Sequence, residues 1–159
     1  MKKLLALLLT LIMSATLFAG CSDPVYDDLS DFLNVQMTEV NAEYVSLTEE
    51  VGKWSTFEDD TAIAESLNNV LIPLVDSSLA KLENITPATD EVKALKEKYV
   101  DVMDAYKKGF TALLEGCETQ EDATINEGYA ALEEAVTLLD EYNKGLEDLA
   151  KEFGAEIEY

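Results

Sequence analysis

Leu29, Leu33, Met37, Val40, Tyr44, Leu47, Val51 and Trp54 recur at steps of 4, 4, 3, 4, 3, 4 and 3. An apolar residue at every third or fourth place puts all eight on one stripe of a helix, which the two-residue alternation of a strand cannot do. The spacing predicts a helix that opens between Asp23 and Asp28 and runs to about Ser55. Pro24 sits near its start, where a missing N–H costs nothing. A stripe this long has to be covered, so the feature calls for further helices.

Three more seams follow. Ile63, Leu67, Val70, Leu71, Leu74, Leu79 and Leu82 predict a second helix to about Glu83, with Asp59 or Asp60 as its cap. Pro73 lies inside it and either kinks it or splits it in two. Val92, Leu95, Tyr99, Val102, Tyr106, Phe110 and Leu113 mark a third helix. Thr86 and Pro87 read as its first positions and Gly116 as its stop. Ile125, Leu132, Val136, Leu139, Tyr142, Leu146, Leu149 and Phe153 mark a fourth, begun near Thr119–Asp122 and closed by Gly154. Nothing reads as a strand. The expected fold is all-α, an antiparallel up-and-down four-helix bundle over 28–159.

The first twenty residues stand outside that fold. Met1-Lys2-Lys3 is a basic start, Leu4 to Ile12 is apolar except for Thr10, and Leu17-Phe18-Ala19-Gly20-Cys21 ends the run in small residues and a cysteine. The apolar stretch from Leu4 to Phe18 falls short of the roughly 20 residues a spanning helix needs. Leu17 to Cys21 resemble the lipobox of bacterial prolipoproteins, with Phe18 where Leu is usual. The resemblance implies transfer of diacylglycerol to the Cys21 thiol and cleavage before it. Residues 1–20 are then a signal peptide and 21–27 a lipidated cysteine with a short tether. Two acyl chains suffice for stable anchoring. The leader, the Lys-only basic set and the short tether look like lipoproteins of Gram-positive bacteria. The implied location is the extracytoplasmic face of the cell membrane.

Charge and composition narrow the chemistry. Without Lys2 and Lys3, 9 Lys stand against 33 acids, and the chain has no Arg or His. A net charge of −24 repels nucleic acid and anionic lipid alike. Without His there is no catalytic imidazole, no His-based zinc site and no Glu-x-x-His pair of a di-iron bundle. No Gly-rich phosphate loop or nucleophile elbow occurs. The expectation is a protein that is not an enzyme, with no cofactor and no metal ligand set. The acid run Glu58-Asp59-Asp60 is a solvated turn or a weak divalent-cation site. With Cys21 lipidated, Cys117 is left unpaired among acids that disfavour its thiolate.

One geometric expectation is sharper. With Glu118 at the middle of the turn between the third and fourth helices, Gly109 and Gly128 fall at one level and can face each other. Each costs about 1 kcal/mol against Ala in a helix interior. Either the backbones approach closely there, or the space forms a small aromatic-lined pocket. Trp54, Phe57, Tyr106, Phe110 and Tyr129 lie toward the same end, far from Cys21. These seven residues are the candidate binding site, for an envelope protein or a small ligand, in a binding or scaffold module. The competing expectation is a structural, acidic envelope protein without a specific ligand.

Overall fold

The computed structural model describes residues 14–16, 23–57 and 59–158. Cys21 and Glu58, two of the positions singled out above, lie outside them. The structure is helical apart from one three-residue strand pair. In chain order the elements are β1 (Ser14–Thr16), α1 (Pro24–Asp31), α2 (Thr38–Lys53), α3 (Asp60–Ser66), α4 (Ile72–Asn84), α5 (Asp90–Thr119), α6 (Asp122–Phe153) and β2 (Glu156–Glu158). No helix among the described residues is long and apolar enough to cross a membrane.

The expected first and second helices are each interrupted, and the interruption has one cause. Phe32–Gln36 joins α1 to α2, and Leu67–Leu71 joins α3 to α4, as single π-turns. Met37 N–H donates to the carbonyl of Phe32, five residues back, at 2.9 Å, and Ile72 N–H reaches back to Leu67 in the same way. The apolar steps explain this. Leu29, Leu33 and Met37 are spaced 4 and 4, and Ile63, Leu67, Leu71 and Val75 are spaced 4, 4 and 4; all are buried. At 3.6 residues per turn, successive fours drift off the buried face. A wider turn takes up the surplus residue and keeps the stripe facing inward. Pro73 follows the second π-turn directly, so the distortion precedes the residue that lacks an N–H. Beyond it the phase has shifted: Val75 and Ser78 are buried, while Leu74 and Leu79 are only half-buried, as is Val70 within the π-turn.

Two further boundaries differ from the sequence expectation. The third helix begins at Asp90, not at Thr86–Pro87, because its N-terminal loop is held from outside by Asp28. That carboxylate accepts from Ala88 N–H (3.0 Å), Thr89 N–H (2.8 Å) and Thr89 Oγ1 (2.6 Å). Gly116 does not stop α5; it is buried against Ile125, and Gln120 takes the left-handed conformation (φ 57°). Gly154 does close α6, at φ 75°. The all-α expectation holds for the chain after Cys21, and the one strand pair uses residues of the segment read above as the leader. The left-handed turn at Gly154 sends the tail back, and Ser14–Thr16 pair antiparallel with Glu156–Glu158. Three residues are too few to show a period of two.

Asp23 caps α1 by accepting from Val25 N–H at 2.9 Å, and Asp59 caps α3 by accepting from Ala62 N–H at 3.0 Å. The eight seam residues of the first helical stretch are all buried, as are the seven of α5. α5 and α6 run antiparallel and very close: Gly109 meets Leu132, Leu113 meets Gly128 and Gly116 meets Ile125. α2 meets α4 through Glu43, whose carboxylate accepts from Ser77, Ser78 and Lys81. α4 meets α5 through an ion pair of Asp76 with Lys107 at 2.7 Å.

Candidate functional site

The residues at the end formed by the turns 54–60 and 119–122 come together as a packed cluster. Trp54 is only 4% exposed, and its ring meets Phe110 edge to face, centroids 6.3 Å apart. Phe110 stacks on Tyr106 at 5.8 Å, and Tyr106 meets Tyr44 edge to face at 6.2 Å. The buried tryptophan needs an acceptor for its N–H. Nε1 donates to Ser66 Oγ at 3.0 Å, Ser66 donates to Glu50 Oε1 at 2.8 Å, and Lys53 donates to Glu50 Oε2 at 2.6 Å. The Lys53 hydrogen bond holds the Glu50 carboxyl below its ordinary pKa, against the burial that would raise it, with Ser66 adding to the effect. The relay ties α2 to α3 from inside.

That arrangement makes Trp54 a probe of its own role. Ser66→Ala leaves the indole N–H and one Glu50 oxygen without a partner in a buried place. Stability drops by about 1–3 kcal/mol, readable in urea as an earlier shift of the fluorescence of this sole tryptophan.

The two glycines are close but not level: the turn falls at 120–121 rather than at Glu118, so Gly109 opposes Leu132 and Gly128 opposes Leu113, and the space is full. A Cβ on Gly109 would lie 3.2 Å from the carbonyl oxygen of Gly128 and 2.6 Å from Leu132 Cδ2. A Cβ on Gly128 would lie 2.7 Å from Leu113 Cγ. Leucines therefore occupy the volume left by the missing side chains, and the glycines serve close approach of α5 and α6. Tyr129 and Phe57 are half-buried at the edge of the cluster, with Asp59, Asp60 and Glu118 exposed around them. Burial, followed by the charges of Asp60 and Glu118, pushes the Cys117 thiol up, away from thiolate.

An open groove of about 760 Å³ between α4 and α5 was not foreseen. Leu79, Leu82 and Val100 contribute apolar lining, and Asp76, Glu97 and Lys107 contribute charge. Its residues lie at helical spacing on two elements, but only the pairing of those elements brings them together, and one sequence does not state that pairing.

A family model described as "Uncharacterised lipoprotein PM1805" matches residues 26–158. No curated protein and no solved structure matches the chain. The matched span takes in almost all of α1 and every later helix. The chain therefore belongs to the uncharacterised lipoprotein family PM1805, a class of membrane-associated, lipid-anchored proteins.

Proposed function

We propose that this protein is an extracytoplasmic lipoprotein of the Gram-positive type, held by diacylglycerol on Cys21, and that its helical part is a non-catalytic binding or scaffold module. One observation carries the reading. The lipobox-like Leu17–Cys21 ends just before the family match at 26, and the first helix starts at Pro24. The folded part thus begins three residues from the proposed lipid. The helical stretches 24–56, 60–84, 90–119 and 122–153 are read as the four rods of an up-and-down antiparallel bundle. The opposed contacts of α5 with α6, and of α2 with α4, support that topology.

In this reading the binding surface is the end away from the lipid. Buried Trp54, Tyr106, Phe110, Gly109 and Gly128 make that end rigid, and half-buried Phe57 and Tyr129 face outward within an acidic rim. A structural, charge-bearing envelope role is the second reading. It is favoured by the withdrawal of Trp54 and Phe110 from the surface. Titration calorimetry with Ca²⁺ and Mg²⁺ separates the cation-binding version of it from an inert one.

The anchor is tested directly. The wild-type protein takes up labelled palmitate and partitions with membranes, while Cys21→Ser takes up none. Mass spectrometry of the N-terminal peptide finds Cys21 as the first residue and bearing two acyl chains. An unmodified Cys21, or a leader still attached in the wild-type protein, sinks the proposal.

A further inference from the structure

Tyr99 is completely enclosed, at 0% exposure. Its hydroxyl oxygen is buried and, among the described residues, has no hydrogen-bond partner. A phenol hydroxyl removed from water without a partner is costly, and such groups in proteins call for a specific cause. Packing alone does not need it. Phe32 and Phe110 fill comparable core positions without a hydroxyl, both at 1% exposure or less. The ring of Tyr99 has a good packing partner in Tyr142, edge to face at 5.0 Å, so the question concerns the oxygen.

The surroundings are polar and incompletely saturated. Tyr106 lies two turns along the same seam, and its hydroxyl contacts that of Tyr44 at 3.4 Å. That is long for a bond between two hydroxyls, which ordinarily close to about 2.7–2.8 Å, and a hydroxyl can take part in up to three. Glu43 is next to Tyr44 on α2. Ser77 and Lys81 donate to its Oε1 and Ser78 to its Oε2. A carboxylate has about four acceptor positions, so Oε2 retains one. Burial above all, and then the neighbouring Tyr142 and Tyr106 phenols and the Glu43 carboxylate, disfavours ionisation of Tyr99, so these polar groups lie in its neighbourhood.

We propose that Tyr99 Oη binds an internal water molecule, whose other partners are the Tyr106 hydroxyl and the open position on Glu43 Oε2. Three partners is the usual number for a buried water. The molecule completes a hydrogen-bonded layer across the core. Tyr99 and Tyr106 enter it from α5, Tyr44 and Glu43 from α2, and Ser77, Ser78 and Lys81 from α4. Such a layer fixes the axial register of the helices, because sliding one of them by a turn breaks the bonds that helix makes in it.

A high-resolution crystal structure of the full lipid-bearing protein tests the site. The expected result is a density peak about 2.6–3.2 Å from Tyr99 Oη, with at least one of the two other partners in reach. Tyr99→Phe changes one atom and keeps the ring. Its thermal midpoint falls by about 3 °C or more, and the peak is gone from its density. A dry Tyr99 in the wild-type density overturns the proposal. So does a Tyr99→Phe protein whose midpoint stays or rises, since removing a truly orphaned hydroxyl relieves the core.

Discussion

Gly128→Ala destabilises the protein by about 2 kcal/mol, while Gly145→Ala, on the same helix, stabilises it by up to about 1 kcal/mol. The substitutions are chemically identical, and only the facing helix differs. A Cβ at 145 meets Leu95 and Lys98 at 3.7 Å, an ordinary contact, so the helix-propensity gain stands alone. A Cβ at 128 would lie 2.7 Å from Leu113 Cγ and 2.9 Å from Leu113 N. The first neighbour can turn away, but the second is backbone, so α5 itself has to retreat. Overpacking of a tight core costs about 1–3 kcal/mol, occasionally more, and exceeds the propensity gain. Urea midpoints of the two variants, read by circular dichroism, give the comparison. Equal and upward shifts would mean that α5 and α6 are not this close and that the space at Gly109 and Gly128 is open after all.

Asp28→Ala costs about 2–3 kcal/mol. The carboxylate accepts three hydrogen bonds from Ala88 and Thr89 and thereby caps α5, whose own N-cap, Thr89, makes no side-chain cap. Losing a cap costs about 0.5–2 kcal/mol, and hydrogen bonds to a charged group are worth more than neutral ones. Burial pushes the Asp28 pKa up, but the bonds from Ala88 and Thr89, with the charge of Lys93, outweigh it and hold the group below its ordinary 3.8. A pKa lower in the folded than in the unfolded state contributes stability in full above the unfolded value. That contribution is lost as pH falls through the folded value. Glu43 behaves the same way: burial raises it, but the bonds from Lys81, Ser77 and Ser78 outweigh burial and hold it below its ordinary value. Stability should therefore be flat above about pH 5 and decline in acid. Asp28→Asn should start lower and decline less steeply. An unchanged acid limb in Asp28→Asn would remove Asp28 from the account.

The sequence carried the helices well, because a period of three and four survives reading in one dimension. All eight residues of the Leu29–Trp54 seam and all seven of Val92–Leu113 are buried. The π-turns were also present as the repeated steps of four around Leu33 and Leu67, although continuous helices were expected there. Boundaries failed where the deciding group is remote. Asp28 lies about sixty residues from the loop it holds, and no local pattern at Thr86–Thr89 reveals it. The neighbourhood of Gly109 and Gly128 followed from counting outward from a turn, although the turn lies at 120–121 and not at Glu118, so the two are not level. Whether that neighbourhood was hollow depended on Leu113 and Leu132 filling it, a matter of three-dimensional packing. For the same reason, the shared end of Trp54, Tyr106 and Phe110 was legible, but their burial was not. Trp54 is covered because Ser66, twelve residues on, supplies its acceptor.

The two π-turns reverse a common assumption about where a chain of this kind can change length. Each holds one residue more than a regular helix needs, and Val35, in the first, is 65% exposed. Dropping a residue there turns the wide loop into ordinary helix, with the stripes on either side still facing the core. The tight links at 85–89 and 120–121 offer no such slack, since one is fastened by Asp28 and the other by a left-handed Gln120. Gain and loss of residues are thus best absorbed by expansion joints inside the rods, not by the connections between them.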